Sequence, residues 1–194
     1  MYNKMSINID LNNDNIQYLT ILNEIENNNK NNFLNYILNL GFNEYIKLKN
    51  IHFNKDFNFN IEVYLGLNDG GGADGMAIVF HNDPNGINAV GTSGSGLGAS
   101  GIRNGISIEF DTWDNGEMAQ DHTHIKLTQS WGDLTTMKAL TNIEDGKWHL
   151  VNFNWNASTQ TLSYSIDGNL IETYTNDLVS TIFNNESNMG LTIS

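Results

Sequence analysis

Residues 105–115 read Gly-Ile-Ser-Ile-Glu-Phe-Asp-Thr-Trp-Asp-Asn, and the reading of this stretch decides the fold. Successive side chains on a strand point to opposite faces, so Ile108 and Phe110 take one face while Glu109 and Asp111 take the other. Two carboxylates side by side on a sheet repel each other unless something cationic lies between them. Past the strand, Asn115 adds an amide oxygen. The segment Asp121-His-Thr-His124-Ile125 then adds a third carboxylate and an imidazole. Oxygen ligands suit Ca²⁺ and an imidazole nitrogen suits a transition metal, so one strand and its loop could hold two ions. The plainer alternative is a solvated sheet face followed by turn residues. Of the two histidines flanking Thr123, His124 is expected to face the Glu109 side and His122 to be exposed.

Working outward, the same strand-and-turn rhythm continues from about Tyr45. Phe57 to Leu65, Met76 to Phe80, Gly105 to Asp111 and His124 to Leu127 are strand-like, with Gly, Asn and Asp between them. Trp148 to Trp155 alternates, Asn156 to Gln160 turns, Thr161 to Ile166 alternates again, and Asp167-Gly168 leads into Asn169 to Tyr174. That order predicts a meander of antiparallel strands. The single proline, Pro84, falls in a loop, as uninterrupted ladders require. Residues 1–40 are Asn-rich, as in Asn27-Asn28-Asn29-Lys30-Asn31-Asn32, and read as a lead-in with outer strands or a short helix. The main domain is placed at 41–194.

The 194 residues suit one domain, and 39% hydrophobic content with four Trp, nine Phe and seven Tyr is enough to fill the space between two sheets. Nine Lys and Arg against 22 Asp and Glu give a formal net charge of -13, which disfavours nucleic acid and anionic membranes. With no cysteine, disulfides, thiolate metal sites and cysteine nucleophiles are excluded together. No segment has the pattern of a secretory signal or the apolar length of a membrane span.

Two further segments carry binding chemistry. Asp69-Gly-Gly-Gly-Ala-Asp-Gly75 precedes an apolar strand, which puts Asp74 at a sheet rim where its carboxylate can accept two hydroxyls at once. A plain turn with an exposed Asp is the competing reading. Gly91-Thr-Ser-Gly-Ser-Gly-Leu-Gly98 lacks the Lys-Ser/Thr ending of a phosphate loop, and a backbone facing a neutral ligand suits it better.

Taken in order, VYLGLNDGGGADGMAIVFHNDP, AVGTSGSGLGASGI, GISIEFDTWDN and GKWHLVNFNWNASTQTLSYSIDG resemble the legume-type lectin family, especially its bacterial-style members, over about Phe53 to Ser194. The resemblance implies an all-β, concanavalin-like jelly-roll β-sandwich of two antiparallel sheets and calcium-dependent binding of neutral, hexose-containing glycans without catalysis. It implies that Asp74 accepts sugar hydroxyls, with the Ala73–Asp74 peptide cis. A backbone N–H near Gly94 or Gly96 would donate to the sugar, and Trp113 could stack on it. Asp111 and Asp121 would bridge Ca²⁺ and a transition metal such as Mn²⁺. Asn115 and the backbone oxygen of Trp113 would bind calcium, and Glu109 and His124 would complete the second site. Partners would be glycans or glycoproteins, met outside the cell or at its surface. The spacing from Asp121 to His124 is shorter than in plant members. The chain stops at Met189-Gly-Leu-Thr-Ile-Ser194, where the family normally continues into closing strands, so an open strand edge and homo-oligomers are expected.

Two rival functions remain. A sandwich-fold glycoside hydrolase would use Glu109, Asp111 and Asp114, but an Asp at the last position shortens the reach that a retaining pair needs. A structural or adhesive sandwich would keep the metal and lose the sugar.

Overall fold

The computed structural model describes residues 46–67, 72–116 and 121–194. The expectation of outer strands or a short helix in 1–40 lies outside them. Ten strands follow in order: β1 Ile46–His52, β2 Phe57–Val63, β3 Gly75–His81, β4 Gly105–Asp111, β5 His122–Leu127, β6 Lys138–Ala139, β7 His149–Asn156, β8 Thr161–Ile166, β9 Asn169–Thr175 and β10 Asn188–Ile193. A single helical turn, α1 Leu178–Thr181, precedes β10, with the Asp177 side chain accepting the Ser180 N–H. Among the described residues the strands form a six-stranded sheet, β1-β10-β3-β4-β5-β6, and a four-stranded sheet, β2-β7-β8-β9. Every pairing is antiparallel.

The two sheets bury different amounts of themselves. On β7 and β8 buried positions alternate with more open ones, because only one face meets the core. Phe59, Phe153, Trp155, Leu162 and Tyr164 point inward and pack on Ile78, Phe80, Ile108 and Phe110 of the other sheet. A T-shaped Phe110–Tyr164 pair and a hydrogen bond of 2.9 Å between the Thr123 and Tyr164 hydroxyls join the layers.

On β4, by contrast, all seven residues are buried. The outer face of the six-stranded sheet carries a second apolar cluster, in which Ala77 and Val79 of β3 meet Ala89, Leu97, Ala99 and Ile102. The segment that follows β3 therefore folds back over the sheet. Glu109 and Asp111 lie on this same outer face, beside Ala77 and Gly75, and are buried as well.

Candidate functional site

The site is built where the ends of β3, β4 and β5 meet the covering segment. Gly75 pairs with Asp111, Ala77 with Glu109, Glu109 with His124, and Asp111 with His122. Glu109, Asp111, His122 and His124 thus share the outer face of two adjacent strands. His122 is 1% exposed and its ring stacks on that of His124, with centroids 5.6 Å apart and planes 8° from parallel. The expectation that His122 would be exposed is corrected here: residues i and i+2 of a strand lie on the same face, and both rings are covered.

Glu109 is 2% exposed, and burial raises its carboxyl pKa to about 8. Lys126 and a hydrogen bond of 3.1 Å from the Ser107 hydroxyl oppose that rise, while Asp111 and Asp133 add to it. His124 Nε2 lies 3.5 Å from Glu109 Oε2 and 3.4 Å from Asp133 Oδ1. Asp133, from the loop after β5, was not anticipated from the sequence. It lies nine residues beyond His124, and only the sharp return of the chain brings it near.

Acidic side chains tie down the described ends of the following loop. Asp111 Oδ1 accepts the Trp113 N–H at 2.9 Å, and the Asn115 amide donates to the Trp113 carbonyl at 3.4 Å. Asp121 Oδ2 accepts the Ile143 N–H at 2.8 Å, tying the far end of the loop to the 140–145 segment. Trp113 is 43% exposed.

Asp74 is joined to this loop through its backbone, since its carbonyl accepts the Thr112 N–H at 3.1 Å. The Ala73–Asp74 peptide is cis, as the resemblance implied. Gly75 follows with φ +123°, and a Cβ there would run into the Phe110 carbonyl, so only glycine lets Asp74 approach β4 this closely. Glu144, buried and likewise not anticipated, packs against Gly72 of the same segment.

Across from Asp74 lies the Gly/Ser loop. A Cβ on Gly94 would stand 3.8 Å from Asp74 Oδ2, which places this exposed glycine beside the carboxylate. Gly96 has a different position. It is buried, its N–H donates to the Ser93 carbonyl, and a Cβ would collide with the Thr92 hydroxyl. Of the two glycines expected at a ligand, the structure puts Gly94 at the rim and Gly96 in the packing behind it.

The donor types suit a cation: buried carboxylates, an imidazole, and an Asn and a backbone oxygen at a loop end. Among the described residues, no three His, Asp or Glu side chains are placed to share one ion. The donors lie on both sides of residues 117–120, and calcium ligation draws on amide and backbone oxygens besides carboxylates.

The arrangement is that of a lectin-type jelly roll, with a loop-lined rim above a covered acidic face. The family described as the legume lectin beta-barrel domain matches residues 40–194, and this chain belongs to it. Lectins of this family bind carbohydrate without transforming it. The chain is similar to the pesticidal crystal protein Cry22Aa of Bacillus thuringiensis, at 31% identity over 135 residues, which is 57% of this chain and 18% of that protein. It therefore spans less than a fifth of that relative. Among solved structures, the Bauhinia forficata lectin in complex with GalNAc is similar at 16% identity and TM-score 0.52, covering 72% of each chain. Winged bean acidic lectin with methyl-α-D-galactose is similar at 15% identity and TM-score 0.51, covering 78% of this chain and 83% of that one. Peanut lectin with a 9mer peptide gives 17% identity and TM-score 0.51, covering 76% of each. At these identities the likeness establishes the jelly-roll sandwich.

Proposed function

We propose that this domain binds neutral, hexose-containing glycans in a calcium-dependent way and leaves them unchanged. The observation that carries the reading is the placement of the Asp74 carboxylate beside Gly94, with the Asp74 carbonyl held by Thr112 at the start of the 112–116 loop. A carboxylate and a nearby backbone N–H offer an acceptor and a donor to adjacent sugar hydroxyls, and Trp113 offers an exposed ring to the apolar side of a pyranose.

Calcium would be held by Asp111, Asp121, Asn115 and the Trp113 carbonyl, and would supply the fixed positive charge that orders this loop. Asn115 would then turn its amide to the sugar. The Glu109–His124 pair has the donor types of a transition-metal pocket such as one for Mn²⁺, but a lysine of the chain lies close to it. Glycans or glycoproteins outside the cell or on its surface are the partners this reading calls for. A hydrolase reading gains little support, since Glu109 is buried while Asp114 is exposed and accepts the Gly116 N–H of its own turn.

Affinity per sugar should be weak, about millimolar, because hydroxyls exchange water bonds for protein bonds at small net gain. The test is Asp74→Ala, measured by calcium calorimetry and glycan binding. Sugar binding should disappear with calcium affinity nearly intact. Loss of both to the same degree would refute the assigned roles.

A further inference from the structure

Lys126 lies on β5 two residues beyond His124 and therefore on the same covered face. Its side chain is 12% exposed. The ammonium stands 3.6 Å from Asp133 Oδ1 and 4.6 Å from the centroid of the Trp131 ring. The loop is built to hold it there. The Trp131 N–H donates to the Leu127 carbonyl, the Leu127 N–H to the Gly132 carbonyl, and Lys126 and Asp133 form an antiparallel bridge. The same Asp133 oxygen lies 3.4 Å from His124 Nε2, which lies 3.5 Å from Glu109 Oε2.

We infer that Lys126 takes the place of a second metal ion, so that the domain binds one calcium and no transition metal. A divalent ion entering between Glu109 and His124 would meet an ammonium already held between a carboxylate and an aromatic face, where charge repulsion is poorly screened. His124 Nε2 faces the carboxylates of Glu109 and Asp133, and the ammonium shares that Asp133 oxygen with it, so the positive charge an ion would bring is already beside these donors. The inference rests on the proposed calcium site for its first ion and on this side-chain cluster for the loss of the second.

The experiment uses the full chain stripped of metal. Calcium is titrated by calorimetry, and Co²⁺, a coloured stand-in for other transition metals, is followed by its visible absorption and by equilibrium dialysis. The wild type should take one Ca²⁺ and show no His124-dependent Co²⁺ band. Lys126→Met should bind Co²⁺ at least tenfold more tightly, and Lys126→Met with His124→Gln should lose that gain. Stoichiometric Co²⁺ binding by the wild type that His124→Gln abolishes would overturn the inference, as would a folded Lys126→Met that gains none. If Lys126→Met fails to fold, comparison of the wild type with His124→Gln decides alone. Absence of calcium binding would instead strike the proposed function, and the cobalt result would still be read separately.

Discussion

A Cβ built on Gly94 would stand 3.8 Å from Oδ2 of Asp74, although twenty residues separate the two in the chain. Gly94 also holds a left-handed φ of +66°, so alanine there would be strained and would set its methyl group against the carboxylate. Gly94→Ala is expected to cost about 1 kcal/mol of stability and to weaken glycan binding at least tenfold, with calcium affinity unchanged. Thermal melts with calorimetry of both ligands check this. Unaltered glycan affinity would remove the loop from the binding rim.

Much of this relationship could be read in the sequence, and what escaped did so for physical reasons. The strands at 57–63, 105–111, 149–156 and 161–166 came close to their observed bounds because each alternates between a core face and another face. Asp74 and the Gly/Ser loop were both singled out, but a run of Gly and Ser has no periodicity, so the different positions of Gly94 and Gly96 emerged only from the fold. The burial of Glu109 and His122 depends on what packs over the outer face of the sheet, and a strand's own pattern says nothing about that. Asp133 and Glu144 reach the site through loop returns that leave no local signature.

Trp113 is half-exposed, and its backbone rather than its side chain is tied to Asp111. Trp113→Ala should therefore change stability by no more than about 0.5 kcal/mol and leave calcium binding within about twofold. Glycan affinity should fall by about 1 kcal/mol if the ring stacks on the sugar. Isothermal titration with and without the ring decides whether stacking contributes.

Asp83 lies just past the end of β3 opposite Gly75, and it sets an acid limit on stability. Burial pushes its carboxyl pKa up, but the N–H groups of Asn85 and Arg103, each at 2.8 Å, and the Arg103 guanidinium outweigh this and leave it below the ordinary value of 3.8. A depressed carboxyl stabilises the fold above its unfolded pKa, and the contribution disappears as pH falls through the folded value. Asp83→Asn should cost about 2 kcal/mol at neutral pH. It should also lose less stability than the wild type when pH drops from 5 towards 2. Urea melts across that range check the sign.

The hydroxyl pair Thr123–Tyr164 is a buried polar link between the two sheets. Tyr164→Phe leaves the buried Thr123 hydroxyl without this partner and should cost about 1 kcal/mol. Adding Thr123→Val should recover part of that loss. A double-mutant cycle in urea measures the coupling, and strictly additive effects would show that the link contributes nothing.

The central claim is that calcium organises the Asp111–Asp121 loop so that Asp74, Gly94 and Asn115 can hold a neutral sugar. Calorimetric titration of metal-stripped protein with Ca²⁺, followed by a glycan-array screen with and without the ion, tests it most directly. The account predicts saturable calcium binding with a stoichiometry of one, and glycan signals that vanish when the ion is chelated. Glycan binding indifferent to chelation, or a chain that takes up no calcium at all, would contradict it.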